Sequence, residues 1–281
     1  MSIQNFNLIR DYIRENCGIV VGDEKSYLIE SRLAQLVVES GCDNFGDFYL
    51  KARNDVKGGL RDKIIDAMTT NETLWFRDNG PWLVLKKVII PEMIKDLESG
   101  RKQRIRIWST ACSTGQEPYS MAMLLDEAVA GLAGRGFGLN SFEIVATDIS
   151  PSVLFMAIAG RYNQISISRG LPDEYRDRYF TQNGNVWELS ESIRKRVSFR
   201  KFNLQEEFAT LGQFDLVFCR NVAIYFSDAF KTALFAKIAR VLNPNGYLFL
   251  GASESMMGYS NSFELIEYAR TIFYRVRQSN G

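Results

Sequence analysis

A loop of small residues follows the first run of β-forming residues and leads into a helical run. It lies in the segment 108–120, WSTACSTGQEPYS. Small side chains let a ligand approach the backbone at the carboxyl ends of parallel strands, which is the usual binding edge of an open α/β sheet. The segment has one glycine, Gly115, where a dinucleotide-binding G-x-G-x-x-G has three. An ordinary strand-to-helix turn with a good cap is the alternative interpretation.

Asp148 ends the second predicted strand, within the sequence ATDIS at 146–150. An acidic side chain at this position can accept hydrogen bonds from both ribose hydroxyls of an adenosyl ligand. The alternative is that Asp148 only caps the helix that follows. Its separation from Gly115 exceeds the ~20 residues of a dinucleotide fingerprint, which disfavours a nicotinamide cofactor.

Two further polar clusters lie where a site could form. Arg220, Asn221 and Tyr225 follow the fourth predicted strand. Polar residues at this edge of the sheet are more often functional than structural. The segment 69–77, TTNETLWFR, lies between the two halves of the chain. From spacing alone it reads as a capped helix start with a surface arginine, Arg77.

The chain has no histidine, which limits its chemistry. Mechanisms that need an imidazole as a base, nucleophile partner or metal ligand are excluded, among them the Ser-His-Asp and Cys-His hydrolases. The four cysteines are far apart in the sequence, so neither a disulfide framework nor a metal site is expected. Scattered thiols of this kind fit a reducing cytoplasm.

The composition is that of an ordinary globular protein. Of 281 residues, 46% are hydrophobic and 24% charged, and the net charge is +1. A core of useful size can form, and a nucleic-acid partner is not expected. The sequence has no signal peptide and no apolar stretch of ~18 residues, so direct membrane insertion is not expected either. We therefore expect a cytoplasmic protein that is a monomer.

The elements that must position these residues fall into two parts. Residues 1–72 read as a small helical domain, because Phe6, Ile9 and Ile13 recur at helical spacing and three further helical runs follow. Asp23 is the predicted N-cap of the second helix.

Residues 73–99 are predicted to form a linker between the two parts. The linker contains the apolar run Trp82–Ile90, flanked by Pro81 and Pro91. Because proline is tolerated at a helix start but not in its interior, we expect a connecting helix that ends before Pro91.

Residues 100–281 alternate short β-rich runs with helical runs, which predicts a parallel sheet with helices on both faces. The predicted strands are Arg104–Ser109, Phe142–Thr147, Val197–Phe202, Phe214–Cys219, Gly246–Gly251, Phe263–Glu267 and Thr271–Val276. The last two are too close for a crossover and must be antiparallel. A mostly parallel sheet with a terminal antiparallel hairpin is the α/β architecture of class I S-adenosylmethionine methyltransferases. A turn signal within residues 179–199 predicts a small antiparallel β insertion.

Several of these segments resemble the chemoreceptor glutamate methyltransferases, the CheR-type family. Residues 71–77 resemble its N-x-T-x-F-F-R sequence, with Trp75 for the first phenylalanine. Residues 108–120 resemble W-S-x-x-C-S-T-G-E-E-P-Y-S, with alanine at a frequent glycine position and glutamine for the first glutamate. Residues 219–226 resemble C-R-N-V-x-I-Y-F, and residues 253–255 match an S-E-x sequence. The matches follow the family's order and cover nearly the whole chain.

The resemblance implies an S-adenosylmethionine-dependent protein-glutamate O-methyltransferase. The residues at the family's cofactor-binding positions are Asn71, Thr73, Arg77, Glu117, Asp148, Asn203, Leu204, Arg220 and Asn221. Arg77 and Tyr225 match the positions beside the methyl acceptor and are the expected catalytic residues. Asp148 is expected to bind the ribose hydroxyls, and Asn203 and Leu204 to flank the adenine.

The resemblance also implies a partner, the cytoplasmic helical domain of chemoreceptors, whose glutamates become methyl esters for sensory adaptation. A glutamate with a pKa of ~4.3 is ionised at neutral pH and needs no general base, which agrees with the absence of histidine. The family's basic docking helix matches residues 23–39, which keep Arg32 but carry Ala34 and Gln35. Two alternatives remain open: a methyltransferase of the same fold that acts on another signalling protein, and a non-catalytic adenosylmethionine-binding regulatory module.

Overall fold

The N-terminal part of the protein is a bundle of helices, as the helical periodicity predicts. The computed structural model describes residues 1–132 and 136–277. The bundle consists of α1 (Ile3–Cys17), α2 (Ser26–Glu39), α3 (Phe45–Arg53) and α4 (Gly59–Met68). α1 begins after Ser2, whose hydroxyl accepts a hydrogen bond from the N–H of Asn5, and it ends at Gly18 with a φ of 76°. Its apolar stripe packs into a core shared by all four helices.

Asp23 does not cap the second helix, so that prediction was wrong. Asp23–Lys25 form a 3₁₀ turn that continues into α2 at Ser26, and α2 has no side-chain cap. The Asp23 carboxylate accepts a hydrogen bond from Arg10 on α1 instead. An ion pair between helices has therefore taken the place of the local capping interaction.

The connecting helix runs past the proline at which it was expected to end. It consists of α5 (Asn79–Val84), a π-helical stretch at Leu85–Ile89, and α6 (Ile90–Glu98), which contains Pro91 in its first turn. Proline lacks an N–H and crowds the carbonyl four residues earlier in a regular α-helix. The wider π turn before Pro91 relieves this conflict, so the helix continues.

The second part is built on a seven-stranded sheet and a separate three-stranded sheet. The strands are β1 (Ile105–Ser109), β2 (Phe142–Asp148), β3 (Arg161–Asn163), β4 (Phe180–Asn183), β5 (Val186–Leu189), β6 (Val197–Lys201), β7 (Phe214–Cys219), β8 (Leu242–Leu250), β9 (Phe263–Tyr268) and β10 (Thr271–Val276). The helices of this part are α7 (Gln116–Val129), α8 (Pro151–Ala159), α9 (Gln164–Ser168), α10 (Asp173–Tyr179), α11 (Glu191–Arg194) and α12 (Asp228–Val241).

The large sheet has the order β6-β2-β1-β7-β8-β10-β9. Strands β6 to β8 in this order are parallel, whereas β10 pairs antiparallel with both β8 and β9. The predicted sheet with a terminal antiparallel hairpin is thus confirmed. Side chains of β1 alternate between two cores: Ile105 and Ile107 pack on the face of α7, and Trp108 packs on the face of α12. Both faces of the sheet are covered, as the alternating pattern requires.

The three-stranded sheet has the order β3-β5-β4 and is antiparallel. A small antiparallel insertion is confirmed, but its extent differs from the predicted residues 179–199. It begins earlier, because Arg161–Asn163 pairs with Val186–Leu189. It also ends earlier, because Val197–Lys201 belongs to the large sheet. A three-residue strand that pairs with a distant segment carries no alternating pattern that would reveal it.

Other expectations concern groups of residues that could cross-link, bind metal or span a membrane. All four cysteines are free thiols, and Cys17, Cys112 and Cys219 are buried. Within residues 1–132 and 136–277, no group of three or more metal-ligating side chains comes together. In the same residues, no helix is long and apolar enough to cross a bilayer.

Candidate active site

A single cavity contains every site residue named from the sequence. It lies at the carboxyl ends of β1, β2, β6 and β7, and its empty volume is about 910 Å³ including its open mouth. The predicted residues that line it are Asn71, Thr73, Arg77, Glu117, Asp148, Asn203, Leu204, Arg220, Asn221 and Tyr225.

The segment 70–77 crosses the cavity as irregular chain, so its interpretation as a helix start was wrong; α5 begins at Asn79. Trp75 anchors the segment, because it is fully buried and its indole N–H donates to the carbonyl of Ser166 at 3.0 Å. At the other end, the carbonyl of Asn71 accepts a hydrogen bond from the Ser113 hydroxyl at 2.9 Å. Phe76, next to Arg77, has a φ of 46°, which is uncommon for a non-glycine residue. These contacts hold a strained backbone that turns Arg77 toward the cavity.

Asp148 is buried at the end of β2, with 7% of its surface exposed. One carboxylate oxygen accepts the N–H of Ser113 at 2.8 Å and the other accepts the N–H of Ser150 at 3.0 Å. The alternative that Asp148 caps the next helix is wrong, because Ser150 is the N-cap of α8. Burial raises the pKa of Asp148 above its ordinary value, and the backbone N–H groups partly oppose this shift.

Glu117 and Arg220 form an ion pair that lines the cavity, in which Arg220 is buried and Glu117 is partly buried. The Glu117 carboxylate accepts hydrogen bonds from the Ser109 hydroxyl at 2.8 Å and from Arg220 at 3.0 Å. Burial raises the pKa of Glu117, and the guanidinium of Arg220 acts against this rise. Arg220 also donates to the Asp78 carboxylate and to the carbonyl of Arg77, both at 2.8 Å. The ion pair therefore joins β7 to the segment that carries Arg77.

Glu254 binds the loop after β7 through its carboxylate. From the sequence alone, Glu254 had no role other than its place in the S-E-x match. One carboxylate oxygen accepts the N–H groups of Asn221 and Gly251, both at 2.7 Å. The other accepts those of Val222 at 3.0 Å and Ile224 at 3.2 Å. One side chain thus satisfies four backbone donors, and it fixes Asn221 in a left-handed conformation with a φ of 57°.

The turn after β6 carries Asn203 and Leu204 into the cavity. The Asn203 amide donates to the carbonyl of Asn16 at the end of α1, at 2.7 Å, and its oxygen accepts the N–H of Gln205 at 3.0 Å. Leu204 is buried and contributes an apolar wall together with Phe202. The side chain of Asn203 thus holds the turn against the helical bundle.

The helical bundle supplies part of the cavity, which the sequence did not reveal. Cys17, Ile19, Thr69 and Thr70 line it. The N–H of Val20 donates to the carbonyl of Tyr225 at 2.9 Å, so the chain after α1 lies directly beside the loop after β7. None of these residues forms a pattern that signals a site, because their role depends on how the two parts pack.

Arg32, the basic residue retained on the expected docking helix, binds the junction between the two parts. Its guanidinium donates to the carbonyl of Met68 at 2.6 Å and to the carbonyl of Thr69 at 3.3 Å. It also donates to the hydroxyl of Thr70 at 3.3 Å, next to the start of the segment that crosses the cavity. Through these bonds Arg32 stabilises the end of α4.

Comparison with known proteins assigns both parts of the chain to one family. Residues 4–69 match the CheR methyltransferase all-alpha domain, and residues 71–272 match the CheR methyltransferase SAM-binding domain. A relative named chemotaxis protein methyltransferase 1, from Pseudomonas aeruginosa, is 44% identical over 97% of this chain and 98% of its own.

Two further relatives have comparable coverage. "Chemotaxis protein methyltransferase Cher2" of Pseudomonas putida is 43% identical over 97% of this chain and 98% of its own. Chemotaxis protein methyltransferase 1 of Vibrio cholerae is 41% identical over 99% of this chain and 98% of its own. The similarity therefore extends over both the helical bundle and the sheet.

Proposed function

Since this chain belongs to the CheR methyltransferase family, we propose that it methylates glutamate side chains in the cytoplasmic helical domain of chemoreceptors. It is an S-adenosylmethionine-dependent methyltransferase of chemotaxis, as its family and relatives show. The glutamate acceptor and the residue roles below are our proposal. The product would be a glutamate methyl ester, which removes one negative charge from the receptor at each modified site.

The polar groups of the cavity match the donors and acceptors of S-adenosylmethionine. Asp148 offers carboxylate oxygens to the ribose hydroxyls, and Glu117 offers them to the methionyl ammonium. The Nε–H of Arg220 is buried and has no partner among the described residues, which leaves a donor for the methionyl carboxylate. Leu204, with other apolar residues of the same wall, suits the adenine ring. The cofactor supplies a methyl group bound to a positively charged sulfur, which is an electrophile.

The acceptor carboxylate needs orientation more than activation. One of its oxygens forms a bond to the methyl carbon as the carbon–sulfur bond breaks, and the electron pair of that bond stays on sulfur. No proton is transferred, because the carboxylate is already ionised at neutral pH. Arg77 would hold the carboxylate with its planar guanidinium, and Tyr225 would hold the second oxygen through its hydroxyl. Holding the reacting atoms in line supplies most of the rate enhancement in a reaction of this kind.

One observation carries the proposal. Arg77 and Tyr225 line the same cavity as the acids Glu117 and Asp148, in a chain without histidine. This combination provides an anion-binding group and a hydroxyl beside a cofactor site, and it provides no imidazole for general base catalysis. A carboxylate is the protein nucleophile that this arrangement suits best, since it requires no deprotonation.

The test is transfer of a labelled methyl group from S-adenosylmethionine to a receptor cytoplasmic fragment. We expect label on the fragment that is released as methanol by mild alkali, since esters hydrolyse and N-methyl groups do not. Alkali-stable label would contradict the glutamate acceptor and indicate methylation of nitrogen. If the protein binds S-adenosylhomocysteine but transfers no methyl group, the non-catalytic regulatory module becomes the better description. A receptor fragment with its exposed glutamates changed to alanine is the matched control.

A further inference from the structure

One buried lysine binds the turn 203–206, which carries Asn203 and Leu204. Lys237 lies on α12, does not line the cavity, and has only 8% of its surface exposed. Its ammonium donates to three successive carbonyls, those of Leu204 at 2.6 Å, Gln205 at 3.1 Å and Glu206 at 2.8 Å. The three donors of an ammonium are thus all used on one turn.

Two aromatic rings lie beside the ammonium of Lys237. Its ammonium lies 4.4 Å from the ring centroid of Phe208 and 5.8 Å from that of Phe230. Burial lowers the pKa of Lys237, and Glu207 and Glu206 act against this shift. An apolar side chain would fill this space without the desolvation penalty of a buried charge. The positive charge is therefore explained by the backbone carbonyls that it binds, which belong to the turn 203–206.

The same turn is also bound by the helical bundle. The carbonyls of Asn16 and Arg14 accept hydrogen bonds from the side-chain amides of Asn203 and Gln205, at 2.7 and 3.2 Å. These bonds link side chains of the turn to α1, whereas Lys237 binds its backbone carbonyls. Lys237 binds the peptide groups that follow Leu204, Gln205 and Glu206. Within the turn, the N–H of Glu206 donates to the carbonyl of Asn203 at 2.9 Å, and the N–H of Gln205 donates to the side chain of Asn203 at 3.0 Å. Lys237 therefore attaches an internally bonded turn to α12.

We propose that Lys237 is a positioning residue for S-adenosylmethionine, which acts by fixing the turn 203–206 against the cavity. Lys237 is not among the residues that line the cavity, so it would act on the cofactor only through the turn. Its loss should weaken cofactor binding and leave the acceptor site intact, because Arg77 and Tyr225 are held by other contacts. The cofactor in this inference, S-adenosylmethionine, is that of the family. Only the placement of Leu204 beside the adenine rests on our proposed function.

The test compares Lys237→Met with the parent protein. Methionine keeps the length and apolar contacts of the side chain but donates no hydrogen bond. We expect the Kd for S-adenosylhomocysteine, measured by calorimetry, to rise at least ~10-fold, equivalent to about 1.4 kcal/mol. The KM for S-adenosylmethionine should rise in parallel, whereas kcat at saturating cofactor and the KM for a receptor fragment should stay within about twofold. Lys237→Arg, which keeps charge and donors, should recover most of the affinity.

Leu234→Ala, one turn earlier on the same helix, is the control for general destabilisation. Leu234 is fully buried in the same core as Leu204 but its apolar side chain donates no hydrogen bond, so its truncation lowers the melting temperature without removing a hydrogen bond from the turn. Unchanged affinity in a folded Lys237→Met protein would overturn the proposal, and so would an equal loss of affinity in Leu234→Ala. If Lys237→Met does not fold, Lys237→Gln takes its place with the same expected direction and the same refuting results. Calorimetry needs no acceptor, so these outcomes are independent of whether glutamate is the methylated side chain.

Discussion

Replacing Glu254 by glutamine should disorder the loop that carries Asn221 and Tyr225 into the cavity. The oxygen of the glutamine side chain could still accept the N–H groups of Asn221 and Gly251, both at 2.7 Å in the parent protein. Its NH₂ group would face the N–H groups of Val222 and Ile224, which it cannot accept. Two hydrogen bonds to a charged acceptor are then lost, each worth ~1.5–3 kcal/mol. Because Glu254 is only half-buried, we take ~1.5 kcal/mol for each bond, so the free energy that orders the loop falls by about 3 kcal/mol.

A displacement of about 1 Å in a positioning group can reduce turnover ~100-fold. We therefore expect Glu254→Gln to lower kcat/KM for methyl transfer by about two orders of magnitude at unchanged overall fold. The assay is the initial rate of labelled methyl transfer to a receptor fragment, with circular dichroism as a check on folding. Glu264→Gln makes the same chemical change at a partly exposed ion pair with Arg275 on the edge of the sheet, and it should leave the rate within about twofold. A Glu254→Gln protein as active as this control would refute the reasoning.

Three further predictions concern the cofactor and acceptor groups. Asp148→Ala should weaken S-adenosylhomocysteine binding by ~1.5–3 kcal/mol in calorimetry, and an unchanged Kd would remove Asp148 from the site. Because burial raises the pKa of Asp148, acidification protonates it sooner than an exposed aspartate. Affinity should therefore fall as the pH decreases from neutral toward this raised pKa, and an Asp148→Asn protein, titrated in parallel, should show a flatter profile. Arg77→Ala should keep most cofactor affinity but lose at least ~100-fold in initial methylation rate. Arg77→Lys should recover little of it, since an ammonium lacks the planar fork, and Tyr225→Phe should lose only ~1–2 kcal/mol of transition-state stabilisation. Parental rates in all three acceptor-site variants would show that the acceptor site is misplaced.

Features set by local pattern were predictable from the sequence. Hydrophobic periodicity identified the helical bundle, and the short spacing between Phe263–Glu267 and Thr271–Val276 identified the antiparallel hairpin. The end of β2 at Asp148 followed from a β-rich run that stops at a polar residue. Because parallel strands end at a common edge, the polar residues after β1, β2 and β7 could be placed together before their contacts were known.

Features set by tertiary contacts were not predictable in this way. β8 begins at Leu242 and not at the predicted Gly246, because the ladder with β7 continues through a register shift between Phe214 and Leu216. The π-helical stretch before Pro91 depends on packing that keeps the helix intact past a proline. Lys237 was not singled out from the sequence, because only the carbonyls of a turn 31 to 33 residues away give it a role.

The site contains charged groups that bind the backbone of the segments around the cavity, and their distribution indicates how it works. Glu254 holds the N–H groups of the loop after β7, Lys237 holds the carbonyls of the turn after β6, and Arg220 holds the carbonyl of Arg77. Each of these irregular segments carries a residue that lines the cavity, and each is attached to the sheet or to α12 by one buried or half-buried charge. A displacement reaction without proton transfer gains little from a tuned acid or base and much from fixed geometry. Fixing three irregular segments with charge-assisted hydrogen bonds is therefore a means by which a chain without histidine can achieve catalysis through position alone.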